Sequence, residues 1–118
     1  MTDSILDSVK VALGILPEYT HFDDVLIMHI NTVFSILTQL GVGPDNGFSI
    51  TDNTTEWSSY ILTNTTIEMV KSYVVKKVGL LFDPPASLSI MEAQKNLISE
   101  MEWRLNVAVD PKEDILNG

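Results

Sequence analysis

The residues best placed for chemistry are two histidines close to a pair of aspartates. His21 and His29 are eight residues apart on one predicted helix. That spacing separates them by about 80° of rotation, so they do not share a face as two metal ligands at i and i+4 do. His21 could still join Asp23 and Asp24 as metal ligands at the start of the helix. A solvated helix terminus is the simpler interpretation, so we predict no metal and no cofactor.

The other residue types that catalyse reactions occur without their supporting patterns. Glu100 and Glu102 fall on different sides of a predicted helix and do not form an acid–base pair. No serine stands in a G-x-S-x-G turn, and "GVGPDNG" matches neither a dinucleotide-binding motif nor a P-loop. The absence of cysteine excludes disulfides, thiol nucleophiles and zinc–thiolate sites. We therefore predict that the protein is not an enzyme.

The composition is that of one folded domain. Of the 118 residues, 45% are apolar and 19% are charged, which predicts a single domain over residues 1–118. No apolar run reaches the length of about 20 residues that crosses a bilayer. The acidic start "MTDSILDSVK" is unlike a signal peptide. We expect a protein made in the cytoplasm, with no membrane partner.

The net charge of −9 is unevenly distributed along the chain. Residues 1–66 hold one lysine against eight acids, whereas residues 67–118 hold six bases against eight acids. Such a protein should not bind nucleic acid by neutralising phosphates. The acidity either keeps the protein soluble or allows DNA to pass without adhering.

The hydrophobic pattern predicts an all-α fold, a small bundle of about four helices. The first is short, covers "DSILDSVKVALGIL" and ends at Gly14 and Pro17. The second begins after residue 20, with Thr20 as its predicted N-cap and Asp23 three residues on, and ends at Gly41. Their apolar stripes are Ile5, Leu6, Val9, Ala12 and Leu13 in the first helix, and Leu26, Ile30, Val33, Leu37 and Leu40 in the second.

A polar segment, residues 41–66, follows the second helix. Gly, Pro, Asn, Asp, Ser and Thr dominate it, and "FSIT" is predicted to be extended. One or two helical turns in "EWSSYIL" should place Trp57, Tyr60 and Ile61 on the core. We predict that this segment and the first helix are weakly tied to the core.

Two long helices complete the bundle and meet at a tight turn made by Asp83, Pro84 and Pro85. The third helix is predicted from a capping box at Thr65, although its β-branched residues leave a strand as the alternative. The fourth is predicted to start at Ser87 or Ser89 and to end at Pro111, and an antiparallel hairpin results. The predicted stripes are Val70, Tyr73, Val74, Lys77 and Leu81, then Leu97, Met101, Leu105 and Ala108.

Trp103 and Arg104, late in the fourth helix, belong to residue types that anchor protein interfaces. The alternative, which we favour for Trp103, is that its ring covers the edge of the core. Residues 109–118 are expected to form a mobile acidic tail that carries the apolar Ile115 and Leu116.

The order of these elements closely resembles the head–tail connector, or adaptor, proteins of long-tailed double-stranded DNA bacteriophages and prophages. The likeness covers roughly residues 3–108 and is carried mainly by "THFDDVLIMHINTVFSILTQLGVGP", "LLFDPP" and "MEWRLNVA". None of these motifs is catalytic, so the resemblance depends on the whole pattern.

The resemblance implies a structural protein of the virion neck, located at the head–tail junction and made in the host cytoplasm. Such connectors form rings of about twelve subunits, a closed head-to-tail arrangement. The ring docks under the portal protein, extends the DNA channel and is a platform for the next neck protein, a stopper or tail-completion protein. DNA would pass through without sequence-specific binding.

The resemblance also suggests where the contacts lie. It gives the C-terminal segment, with Ile115 and Leu116, the portal contact. The first helix and residues 41–66 are the predicted contacts between subunits. A function of another class remains open: a small acidic helical protein that binds and regulates another protein as a monomer or dimer.

Overall fold

The computed structural model describes the backbone of residues 3–60 and 64–117 and the side chains of residues 3–60 and 67–108. The described residues form four α-helices: α1 (Ile5–Ala12), α2 (Asp23–Gln39), α3 (Asn64–Phe82) and α4 (Leu88–Asn117), with a short 3₁₀ helix at Trp57–Tyr60. One isolated bridge joins Ser4 to Glu56, and the described residues contain no strand. The all-α prediction is confirmed, and α3 is a helix despite its β-branched residues.

The third helix, α3, makes the most extensive contacts of the bundle, because it packs along α2 on one side and along α4 on another. A ring contact between Phe22 and Phe82, with centroids 5.2 Å apart, brings the start of α2 to the end of α3, so these two helices run antiparallel. At the far end of the bundle, Asn106 Nδ2 donates to the carbonyl of Leu40 over 3.1 Å. It follows that α2 and α4 run in the same direction, with α3 between them.

The first helix is a core element, so the prediction that it is weakly tied is wrong. Ile5, Leu6 and Val9 are buried against α2 and α3. Ser4 caps the helix by accepting a hydrogen bond from the Asp7 amide at 3.2 Å. Eight residues are too few to form a stable helix alone, so burial of this face is what stabilises it.

A buried ion pair joins α1 to α2. Lys10 is fully buried; its Nζ donates to Asp23 Oδ1 at 2.7 Å and to the Pro17 carbonyl at 2.8 Å. The helix α2 begins at Asp23 with Phe22 as its N-cap residue and no side-chain cap, and the Asp23 amide donates to the backbone carbonyl of Thr20 at 3.1 Å. The predicted cap at Thr20 is therefore wrong. The other end is as predicted, since Gly41 has the positive φ of 84° that ends a helix.

The polar segment is also tied to the core, contrary to the prediction. The Asn31 side chain pairs with the backbone of Ile50, donating to its carbonyl at 2.9 Å and accepting from its amide at 2.8 Å. Trp57 and Tyr60 are buried as predicted, and both rings approach Phe34. "FSIT" forms no strand, and Ile61 lies outside the described residues.

The third and fourth helices form the predicted hairpin across Asp83, Pro84 and Pro85. Ser87, not Ser89, caps α4, since its Oγ lies 3.4 Å from the Ile90 amide that donates to it. The side chain of Thr65 lies outside the described residues. In α3, Val70, Tyr73, Val74 and Val78 are buried, while Leu81 at the end of the predicted stripe is exposed.

The buried stripe of α4 differs from the predicted one. Ile98 and Leu105 are buried and Met101 is partly buried, whereas Leu97 and Ala108 are exposed. Ile98 precedes Leu105 by seven residues and lies within about 20° of it around the helix, whereas Leu97 is about 80° away and falls outside the buried face. The helix also continues past Pro111 to Asn117, so the predicted end is wrong. A proline inside a helix removes one hydrogen bond at a cost of about 3 kcal/mol, which here does not end the helix.

Within the described residues, none of the helices combines the length and the apolar character needed to cross a membrane.

Candidate partner interface

The histidine–aspartate cluster does not form a metal site in the described part of the chain. Asp23 is paired with Lys10, and the His21 ring packs edge-on against Phe22 with centroids 4.8 Å apart. No three His, Asp or Glu side chains among the described residues are close enough to hold a metal ion.

An open groove lies between α3 and α4, close to the hairpin turn. Its volume is about 290 Å³, and Gly79 forms part of its floor next to Leu13. Asp83 lines one end of this groove and Lys76 lines it further along α3. These two opposite charges do not form a set of polar groups that could orient a substrate.

Trp103 lies on the outside of the bundle. Its side chain is 66% exposed, and it is about 160° around α4 from Leu105. The interpretation that Trp103 covers the edge of the core is therefore wrong. Whether it contacts a partner stays a prediction.

Arg104 is also exposed, but it points to another side of α4. Its Nη2 lies 3.6 Å from Glu100 Oε1, one turn earlier on the same helix. Consecutive helical residues differ by about 100°, so Trp103 and Arg104 do not form one patch. The side chains of Ile115 and Leu116, the other two predicted contacts, lie outside the described residues.

The outer face of α2 is a surface that the sequence predictions missed. It consists of residues spaced alternately by three and four positions, all exposed: Val25, Met28, Thr32, Ser35 and Gln39. The chain has no acidic residue, lysine or arginine between Asp24 and Asp45. Solvent-facing helix surfaces usually carry charges, and depletion of charge is typical of interface cores. In the sequence, this face could have been found as a second, uncharged set of residues spaced by three and four positions, besides the apolar stripe that faces the core.

Polar contacts hold α4 to α3 on a different side of the helix from Trp103. Tyr73 Oη donates to Glu102 Oε2 at 2.7 Å, and Lys77 Nζ lies 4.0 Å from the same oxygen. Burial raises the pKa of the Tyr73 hydroxyl well above its ordinary value, and the hydrogen bond to the Glu102 carboxylate raises it further. Tyr73 therefore stays a neutral donor, and this arrangement is structural.

Comparison with known proteins gives one match. The family model described as "Phage connector protein" matches residues 5–112, which is nearly the whole chain. Neither the curated proteins nor the solved structures contain a significant match.

Proposed function

The chain belongs to the phage connector protein family, and on that premise we propose that it is a ring-forming head–tail connector of the virion neck. The family match over residues 5–112 is the observation that carries this proposal, because it includes all four helices and not one shared motif. Phage connectors are structural proteins.

In this proposal the ring docks under the portal protein and offers its other end to the next neck protein. The C-terminal part of α4 supplies the portal contact. This helix has 30 residues against 19 in α3, so it is longer by about 16 Å. Because the two helices start from one tight turn, the last turns of α4 extend past the first turn of α3. They carry Ile115 and Leu116 directly after the acidic residues Glu113 and Asp114.

The charge supports a role as a DNA conduit. A net charge of −9 disfavours attachment to phosphates, so DNA could move through a ring of such subunits without being held. The protein would be made in the host cytoplasm and would act at the head–tail junction.

The test is size-exclusion chromatography with light scattering, on the protein alone and after mixing with the portal protein of the same phage. We expect a ring, or co-elution with portal that is lost in a variant ending at Val109. Circular dichroism of that variant should show that α1 to α3 remain folded.

A monomer or dimer that ignores the portal at micromolar concentration would contradict the proposal. It would favour the alternative, a small acidic protein that regulates another protein.

A further inference from the structure

The uncharged outer face of α2 is not shielded by any described part of the subunit. Val25 and Met28 are 42% and 58% exposed, and Thr32, Ser35 and Gln39 continue the face to the end of the helix. The Thr32 hydroxyl bonds the Met28 carbonyl at 3.0 Å, so its hydrogen-bonding need is already met within the helix. A straight 3-4 stripe of this kind is the pattern by which one helix packs along another.

A second exposed stripe runs along α4 and has similar chemistry. Asn96, Ser99 and Trp103 follow each other at spacings of three and four, and all are exposed. They face away from the side of α4 that packs on α3, which is marked by Ile98 and Leu105. Trp103 is thus a large apolar side chain within an uncharged polar stripe.

The two stripes lie at matching heights on two different helices of the subunit. The hydrogen bond between Asn106 and Leu40 fixes the relative heights of α4 and α2. Trp103 lies three residues before Asn106, so it is at the height of the α2 residue three positions before Leu40, which lies between Ser35 and Gln39. The two helices run in the same direction, so Ser99 lies near the height of Thr32 and Ser35.

From this geometry we infer that the α2 stripe of one subunit receives the α4 stripe of the next, with Trp103 packed against Ser35 and Gln39. This inference rests on the proposed function, since it names the contact that builds the ring. When the ring axis runs parallel to the helices, rotation about it does not change the height of any residue. The α4 stripe of one subunit then meets the α2 stripe of the next at the same relative heights as within one subunit. Because the two stripes are different surfaces of one subunit, a contact between them is head-to-tail and can close into a ring.

The occupant is a second copy because the chemistry of the two faces is matched within this chain. Neither stripe carries a charge, so neither favours nucleic acid or an acidic or basic peptide. The small Ser35 side chain leaves room for an indole ring. A tryptophan side chain has only two torsion angles, so ordering it in a contact costs little conformational entropy.

The absence of cysteine makes a cross-linking test clean. The variant Ser35→Cys/Ser99→Cys, assembled alone or on the portal and then oxidised, should give a ladder of covalent oligomers on a non-reducing gel. Each single variant, treated in the same way, should run as a monomer on the gel because it has no second cysteine to form a disulfide with. The control Ser35→Cys/Ser72→Cys, which places the second cysteine on an exposed position of α3, should give no ladder.

Each outcome has a defined meaning. Assemblies that form but give no ladder overturn the contact and leave the connector function standing. Covalent dimers from Ser35→Cys alone would mean that α2 packs on its own counterpart, which also overturns it. Failure of the unmodified protein to assemble, both alone and with portal, overturns the connector function and the contact together.

The anchor is tested by substitution. Trp103→Ala should raise the concentration for half-assembly by about tenfold or more, whereas Tyr19→Ala, at another exposed aromatic outside both stripes, should leave it unchanged. Ser35→Arg should block assembly, and its control Ala93→Arg on a different side of α4 should not. Equal assembly by Trp103→Ala and the unmodified protein would contradict the proposed anchor.

Discussion

The shortest and the longest helix of this protein contrast in how much of each is buried. The eight residues of α1 include four buried side chains: Ile5, Leu6, Val9 and Lys10. Over residues 88–108, the part of α4 whose side chains are described, only Ile98 and Leu105 are buried. Helix length therefore does not measure contribution to the core. The short helix completes the core of the subunit, whereas most side chains of the long one are exposed.

Removing α1 should have the largest effect. A variant lacking residues 1–14 loses Ile5, Leu6 and Val9 from the core and removes the partner of Asp23. We expect it to lose cooperative unfolding altogether, because these losses exceed a typical net stability of about 5–15 kcal/mol for a domain. Circular dichroism during heating measures this. A variant that kept a sharp melting transition would show that α1 is peripheral after all.

A matched pair of leucines sharpens the contrast between the two helices. Leu6 is 1% exposed on α1, and Leu88 is 74% exposed at the start of α4. Leu6→Ala should reduce the free energy of unfolding by about 3 kcal/mol through lost burial and a cavity. Leu88→Ala should change it by less than about 0.5 kcal/mol. Urea denaturation gives both values, and similar losses would contradict the burial argument.

The ion pair between α1 and α2 is expected to contribute less than the core leucine. Lys10→Met keeps the apolar stem but removes the partner of Asp23, and should cost about 2 kcal/mol. The cost stays below that of a fully buried pair because Asp23 is 24% exposed. A double-mutant cycle with Asp23→Asn measures the coupling. A coupling energy near zero would show that the pair only fills space.

The smallest effect concerns tyrosines and appears only at high pH. Burial raises the pKa of Tyr60 to about 12, and the pKa of Tyr73 is raised by burial and by Glu102. The folded state therefore keeps protons that the unfolded state loses above pH 10. This contribution to stability is complete below pH 10 and is lost as the pH rises through 12.

Phenylalanine variants isolate these two groups from other titrations. The free energy of unfolding should fall less between pH 9 and about pH 11 in Tyr73→Phe and in Tyr60→Phe than in the unmodified protein. Urea titrations at the two pH values measure the difference. An unchanged slope in Tyr73→Phe would mean that its hydroxyl is not desolvated between α3 and α4.

The number and order of the helices, and some of their ends, could be predicted from the sequence, because apolar spacing and glycine or proline at the ends are local signals, although α4 continues past Pro111 to Asn117. The predicted cap at Thr20 was wrong because the Asp23 amide donates to the Thr20 carbonyl and the helix begins only at Asp23. Other errors concern contacts between distant residues. The polar middle looked detached because the Asn31 contact with Ile50 spans nineteen residues.

The candidate interface was only partly accessible from the sequence for the same reason. Trp103 was identified as a residue type suited to an interface, but only the direction of the α4 core stripe shows that it faces solvent. The outer face of α2 was not predicted because the apolar stripe on the other side of the helix gives the stronger periodic signal. The uncharged outer stripe of α2 can be interpreted as a candidate interface only once the apolar stripe on the other side of the helix is known to be buried.

The dependence of α1 on late parts of the chain has a consequence during synthesis. The Ile5 amide bonds the Thr55 carbonyl, Trp57 Nε1 bonds Ser8, and Leu13 lies against Gly79. At about 5–20 residues per second, the ribosome needs roughly 3–13 s to make the chain between Leu13 and Gly79. The first helix to emerge therefore cannot complete its contacts until α3 has been made, and until then part of its apolar face is exposed to chaperones and to other nascent chains.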